Sequence, residues 1–163
     1  MIKLFLTDVD GCLTDGGMYY AADGTESKRF CVYDGMGMVL LQQAGIPCGI
    51  LTSETTTIVE NRAKKLRLQY LYQGVGSKQN PGQLTKLQAA EEICQQLGIT
   101  LAEVCFVGDD VNDIDLLRAV GHPYCPINAR PEVKAIPGIT IVPVHGGEGV
   151  IREIADSILA ARS

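Results

Sequence analysis

No stretch of this 163-residue chain approaches the ~20 consecutive apolar residues that a membrane span needs, so the pattern excludes a membrane-embedded helix. The opening residues lack the basic-then-apolar layout of a signal peptide and already carry Asp8 and Asp10. A cytoplasmic protein is expected. An excess of basic charge is also missing. Fourteen Lys and Arg stand against 19 Asp and Glu, for a net charge of −5, which argues against nucleic acid as the main partner. An anionic small molecule stays open, because a metal ion and a few lysines can set the field locally. The six cysteines (Cys12, Cys31, Cys48, Cys94, Cys105 and Cys125) include no Cys-x-x-Cys pair. They read as small core residues with free thiols. Internal repeats and low-complexity segments are absent, so neither a solenoid nor a disordered tract is indicated.

What is present is an alternation of short apolar runs and amphipathic stretches. Strands are expected at 2–7, 47–52, 69–72, 104–107, 123–125 and 140–142, and helices at 34–44, 55–66, 84–97, 114–120 and 149–161. Asp23-Gly24, flanked by 18–20 and 27–31, predicts a tight hairpin. Three glycines and a proline make 74–83 a loop. Alternating strands and helices predict a single α/β, Rossmann-like domain over 1–163, with a central, mainly parallel sheet, helices on both faces and a small β-hairpin flap at about 17–31. Ligands bind such sheets at the carboxyl ends of the strands. Asp8, Thr52 and Asp109 all fall at such ends.

The chemistry gathers there. In an extended strand, residues two apart point the same way, so Asp8 and Asp10 would repel each other without a cation. A hard divalent ion, Mg²⁺, relieves that repulsion and bridges to a phosphate oxygen. One carboxylate then attacks phosphorus, and the other protonates the leaving oxygen and later activates water. Asp8 is assigned the attack and Asp10 the proton transfers. Gly11 exposes backbone for a phosphate to approach. The Thr52 hydroxyl and Ser53 amide are placed to hold phosphate oxygens, although Ser53 or Thr55 alternatively caps the following helix. Lys86 falls in the first turn of a helix, where the helix dipole disfavours a cation; it reads either as a surface lysine or as one that offsets phosphoryl charge. Lys78, in the loop, competes for that role. Asp109, Asp110 and Asp113 cluster after the fourth major strand. One is expected to bind metal and another to orient Lys86, while Asp109 or Asp110 alternatively caps a helix. Gly146 and Gly147 belong to a glycine-rich turn that either shapes a substrate pocket or simply turns the chain. His122 and His145 are expected to be structural.

With these residues placed, the chain resembles the haloacid dehalogenase superfamily of phosphatases. Asp8-Val9-Asp10-Gly11-Cys12-Leu13-Thr14-Asp15-Gly16 matches its first motif, Thr52 its second, Lys86 its third, and Gly108-Asp109-Asp110 with Asp113 its fourth. Within it, Thr14-Asp15-Gly16-Gly17, the Asp23-Gly24 hairpin and Gly146-Gly147-Glu148-Gly149-Val150-Ile151-Arg152-Glu153 resemble the small capless branch that acts on phosphorylated ulosonic acids. The resemblance implies metal ligation by Asp8, the Asp10 backbone carbonyl and Asp109. It also implies a homotetramer in which flaps pack together and a neighbour closes each site. Glu54 after Thr52-Ser53, with Lys65 and nearby Arg62, resembles the nine-carbon (2-keto-3-deoxynononate 9-phosphate) members. That favours a nine-carbon substrate, N-acetylneuraminate 9-phosphate included, over the eight-carbon 3-deoxy-manno-octulosonate 8-phosphate. A non-catalytic oligomerisation module, as in animal sialate cytidylyltransferases, and a receiver domain are the rivals. Intact Asp8, Asp10 and Asp109 speak against the first, and the strand at 69–72 ending in Gln73 rather than Asp against the second.

Overall fold

The apolar run near the N-terminus forms β1 (Leu4–Thr7), whose four residues are all buried. It is central in a six-stranded sheet with β4 (Cys48–Thr52), β5 (Tyr70–Gln73), β6 (Val104–Val107), β7 (His122–Pro126) and β8 (Thr140–Val142), in the order β5-β4-β1-β6-β7-β8. Every pairing is parallel. Thr7 lies opposite Ile50 on one side and Val107 on the other. The chain therefore leaves β1, returns on both sides of it, and opens a crevice at its carboxyl end. The computed structural model describes residues 1–77 and 82–162, so Lys78 lies outside the described residues.

Both faces of the sheet are covered, as a parallel sheet requires. On one face Phe5, Ile50 and Val107 pack with Met38 and Leu41 of α1 (Val32–Gln43), Val59 and Ala63 of α2 (Thr57–Lys65), and Ile151 and Ile154 of α6 (Val150–Ala160). On the other, Leu4, Leu6 and Phe106 pack with Ala89 and Ile93 of α3 (Lys86–Leu97), Leu116 of α4 (Ile114–Ala119) and Val133 of α5 (Pro131–Lys134). The alternation along β1 thus serves two cores, which is why its run reads as continuously apolar. The α1 and α6 backbones approach closely: a Cβ on Gly37 would stand 3.0 Å from the Arg152 Cα.

Several boundaries differ from expectation. The flap is a short hairpin of β2 (Tyr19–Tyr20) and β3 (Glu26–Ser27), not a strand reaching 31, because Lys28 turns inward. Asp34 does not open α1. It is 1% exposed, and its carboxylate accepts hydrogen bonds from the backbone N–H groups of Gly149 (3.2 Å), Ile151 (2.8 Å) and Arg152 (3.3 Å). It caps α6, whose own N-cap position, Gly149, has no side chain to do so. The short helical turns at Val9–Leu13, Leu101–Glu103 and Val111–Asp113, and α5, were not anticipated. Single turns are too short to show a 3.6-residue period.

Candidate active site

Asp8 ends β1. Its N–H bonds to the Val107 carbonyl at 2.9 Å, which locks the residue to β6. Its Oδ1 accepts from the Val9 N–H at 2.7 Å and faces the Lys86 ammonium at 3.0 Å. Asp10 does not continue the strand. It lies in a tight turn (φ −70°, ψ 119°) before Gly11 at φ +85°. The expected strand-like pairing of the two carboxylates is therefore replaced by a loop in which each has its own cation. Asp10 Oδ1 accepts from Lys28 Nζ at 2.7 Å, while Asp8 meets Lys86.

The acids that crowd together are Asp8, Asp109 and Asp113, with one oxygen from each within 4.8 Å of the others. Lys86, the first residue of α3, is 2% exposed. Its Nζ lies 2.6 Å from Asp113 Oδ1 and 3.0 Å from Asp8 Oδ1. Burial disfavours its charge, but Asp8 and Asp113 outweigh that and hold the ammonium firmly protonated. Asp113 Oδ2 accepts from the backbone N–H groups of Asp109 (2.9 Å) and Asp110 (3.2 Å). Gly108 makes this possible, since a Cβ there would stand 2.6 Å from the Asp113 Cβ. Asp110 is exposed and accepts from the Val111 N–H at 2.7 Å, the capping arrangement.

One cation cannot balance three carboxylates. Burial, then Asp113 and Asp110, push Asp109 up to about 7. Burial, then Asp113, push Asp8 well above the usual carboxylate range. Asp109 reaches the β1 loop because Gly11 lacks a side chain: a Cβ there would stand 2.1 Å from Asp109 Oδ2. A donor set made only of oxygen, with unbalanced negative charge, fits a hard divalent cation. Both Asp113 oxygens already have protein partners, so of the three acids Asp8 and Asp109 are the ones that could hold such an ion.

A crevice of about 180 Å³ is lined by Asp8, Asp10, Thr52, Ser53, Glu54, Asp109, Asp110 and Asn112. A larger cavity of about 650 Å³, lined by residues such as Ile2, His122 and Ile158 at the amino ends of the strands, contains none of these groups. Thr52 closes β4 and is 2% exposed. Ser53 donates its hydroxyl to the Val75 carbonyl (3.0 Å) and accepts from Asn112 Nδ2 (3.0 Å). The side chain braces the crevice, and Thr56, not Ser53 or Thr55, caps α2.

Four expected substrate residues are not in this crevice. Arg62 stacks over Phe30 at 5.4 Å and donates to the Cys31 carbonyl (3.4 Å). Lys65 lies at the far end of α2, roughly 12 Å of helix from its start, beside Val39, Gln42 and Arg67. Gly146 and Gly147 lie behind the β1 loop. A Cβ on Gly146 would meet the Gly11 carbonyl oxygen at 1.9 Å, and the Gly147 N–H donates to the Cys12 carbonyl at 3.1 Å. This turn packs on the loop that carries Asp8 and Asp10. Asn128, not anticipated, joins the two segments. Its Nδ2 donates to the Gly11 carbonyl (3.0 Å) and its Oδ1 accepts from the Gly146 N–H (2.8 Å). Lys28 was also missed, and no local pattern marks either residue.

Residues 42–154 match the haloacid dehalogenase-like hydrolase family. The chain belongs to that family. It is 35% identical over 162 residues to the 3-deoxy-D-manno-octulosonate 8-phosphate phosphatase of Escherichia coli K12, covering 99% of this chain and 81% of the relative. It is 33% identical over 161 residues to the Haemophilus influenzae phosphatase of the same name, covering 99% and 84%. The crystal structure of the Moraxella catarrhalis phosphatase, in complex with a magnesium ion, a phosphate ion and a KDO molecule, superposes with a TM-score of 0.89 at 36% identity, covering 98% of this chain and 87% of that one. This chain is accordingly a haloacid dehalogenase-type phosphatase of the capless kind. Among the described residues no helix is long and apolar enough to cross a membrane.

Proposed function

We propose that this phosphatase hydrolyses 3-deoxy-D-manno-octulosonate 8-phosphate with Mg²⁺, through an aspartyl-phosphate on Asp8. The observation that carries the chemistry is the Asp8–Lys86–Asp113 chain beside Asp109 in one buried cluster. Among the described residues, both polar contacts of the Asp8 carboxylate fall on Oδ1, and Oδ2 is assigned the attack. It forms the bond to phosphorus as the P–O ester bond breaks, and Asp10 gives its proton to the departing sugar oxygen. Asp10 then takes a proton from water as the water oxygen attacks phosphorus. The Asp8–phosphorus bond breaks, inorganic phosphate leaves and the carboxylate is restored. Lys86 offsets charge on the phosphoryl group while Asp113 holds it in place, and Thr52 meets a phosphoryl oxygen. Asp8, Asp109 and the Asp10 backbone carbonyl would hold Mg²⁺, and its charge would supply neutralisation at the phosphoryl oxygens.

The eight-carbon substrate is preferred to the nine-carbon one for two reasons. The relatives named for the octulosonate cover nearly the whole chain. The nine-carbon reading joined Glu54 to Lys65 and Arg62, but Glu54 pairs with Lys28 at 3.4 Å, Arg62 donates to the Cys31 carbonyl and Lys65 lies beside Val39 and Arg67, which supports the eight-carbon reading. Phosphate release with Mg²⁺ from the octulosonate and nononate phosphates, with Asp8→Asn as the blank, tests this. The expected result is at least a tenfold higher kcat/KM on the octulosonate, and the reverse order returns the nine-carbon assignment.

We also infer a cytoplasmic homotetramer. Met18, Tyr19 and Tyr20 of the flap, with Val32, Tyr33 and Met36 at the start of α1, leave large apolar side chains exposed, which supports burial by other copies. Free thiols at all six cysteines suit a reducing compartment. Light scattering at several concentrations checks the tetramer.

A further inference from the structure

Lys28 follows β3 on the flap, where a lysine can extend into water at no cost. Its side chain is instead 1% exposed. The ammonium lies among three carboxylates from three segments: Asp10 on the β1 loop (2.7 Å), Glu26 on the flap (3.3 Å) and Glu54 after β4 (3.4 Å). Its direction is informative. It makes hydrogen bonds to Asp10 and Glu54 across the crevice. Its own flap neighbour Glu26 is within ion-pair distance through Oε1, but the shortest contact of the ammonium is the one to Asp10. A buried cation needs partners, and the local pair with Glu26 would be enough to hold the hairpin. The bonds to Asp10 and Glu54 leave the flap and serve other segments.

We propose that Lys28 is a positioning residue for proton transfer: by holding Asp10 Oδ1, it points Oδ2 at the ester oxygen that leaves. This rests on the reading of Asp10 as the group that protonates the leaving oxygen. A carboxyl group is free to rotate about its Cβ–Cγ bond, and a misplacement of about 1 Å can cost about 100-fold in rate. One fixed oxygen removes that freedom. The flap thereby belongs to the reaction machinery as well as to the surface. Glu54, tied to the same ammonium, is held at the crevice mouth.

The test exploits leaving-group chemistry. A sugar alkoxide needs a proton as the P–O bond breaks, whereas 4-nitrophenolate leaves without one. The value of kcat/KM reports the steps up to that departure. Lys28→Met is expected to lower kcat/KM on 3-deoxy-D-manno-octulosonate 8-phosphate about 30-fold and on 4-nitrophenyl phosphate less than about threefold. Lys28→Gln, which keeps an uncharged N–H donor group, is expected to fall between Met and wild type, and it serves alone where Lys28→Met does not fold. Thermal melting establishes which variants are folded. An equal loss on both substrates, or no loss on either, overturns the positioning role and leaves the phosphatase reading intact. A wild-type protein inert on both substrates, or an active Asp8→Asn, withdraws both.

Discussion

Lys86 at the floor of the crevice and Lys28 at its mouth are both buried ammonium groups that contact aspartates of the β1 loop. They stand on different scaffolds. Lys86 opens a twelve-residue helix with a complete capping box between Thr85 and Gln88, and its acidic partners Asp8 and Asp113 are 6% and 0% exposed. Lys28 follows a two-residue strand, and its crevice partners Asp10 and Glu54 keep 33% and 48% of their side chains in solvent. The difference lies in what happens when the lysine is removed. At the floor, stranded carboxylates have no water to turn to. At the mouth they rehydrate. Electrostatics at the floor therefore carry folding and chemistry together, whereas at the mouth they carry orientation alone.

The largest expected effect is at the floor. Asp8→Asn removes the nucleophile, and turnover should fall at least about 1,000-fold while circular dichroism stays unchanged. An active variant breaks the mechanism. Lys86→Met should lower kcat by about 100-fold or more and cost about 3 kcal/mol in denaturant unfolding, because it leaves buried acids unpaired. Lys28→Met should cost no more than about 1 kcal/mol. Equal stability losses in the two lysine variants would erase the distinction between floor and mouth.

The proton affinity of Asp109 sharpens the contrast further. Burial and its acidic neighbours raise it in the folded chain to about 7, above the ~3.9 of an unfolded chain. Folding then favours proton uptake in that window. This group's contribution is complete below about 4 and is lost as the pH rises through about 7. Metal-free protein should melt progressively lower across that range, and Mg²⁺ should restore the melting temperature most at the alkaline end, where the acids are ionised. A metal-free melting temperature that rises steadily from pH 5 to 8 would contradict this. The smallest effect is expected of Asp110→Ala. The residue is exposed and caps a short turn, so about 0.5–1 kcal/mol of stability and less than threefold in kcat should be lost.

Much of this was legible in the chain. The strands and long helices follow from runs and periods that local sterics and burial impose. Asp8, Thr52 and Asp109 meet because the carboxyl ends of parallel strands share one edge. Lys86 was legible through its place between Thr52 and Gly108 in the motif order of the family it resembles; its position in a helix's first turn left a surface lysine open. The roles of Asn128, Asp34 and Lys28 were not. Each acts on a segment far away in sequence: Asn128 on Gly11, Asp34 on the start of α6, Lys28 on Asp10. Nothing in the flanking residues records that partner. Arg62 and Lys65 show the converse, since closeness in sequence to Glu54 did not carry them along a helix into the same crevice.

By itself, then, the amino-acid order determined an open parallel α/β sheet, a strand-end crevice and an acid-and-lysine chemistry, because short-range periodicity and strand-end placement are local properties. Only the tertiary structure decided which cation neutralises which carboxylate. It also decided which glycines admit a neighbour and which side chains face the crevice, because those depend on distances of a few ångströms between residues such as Asp34 and Arg152, 118 positions apart.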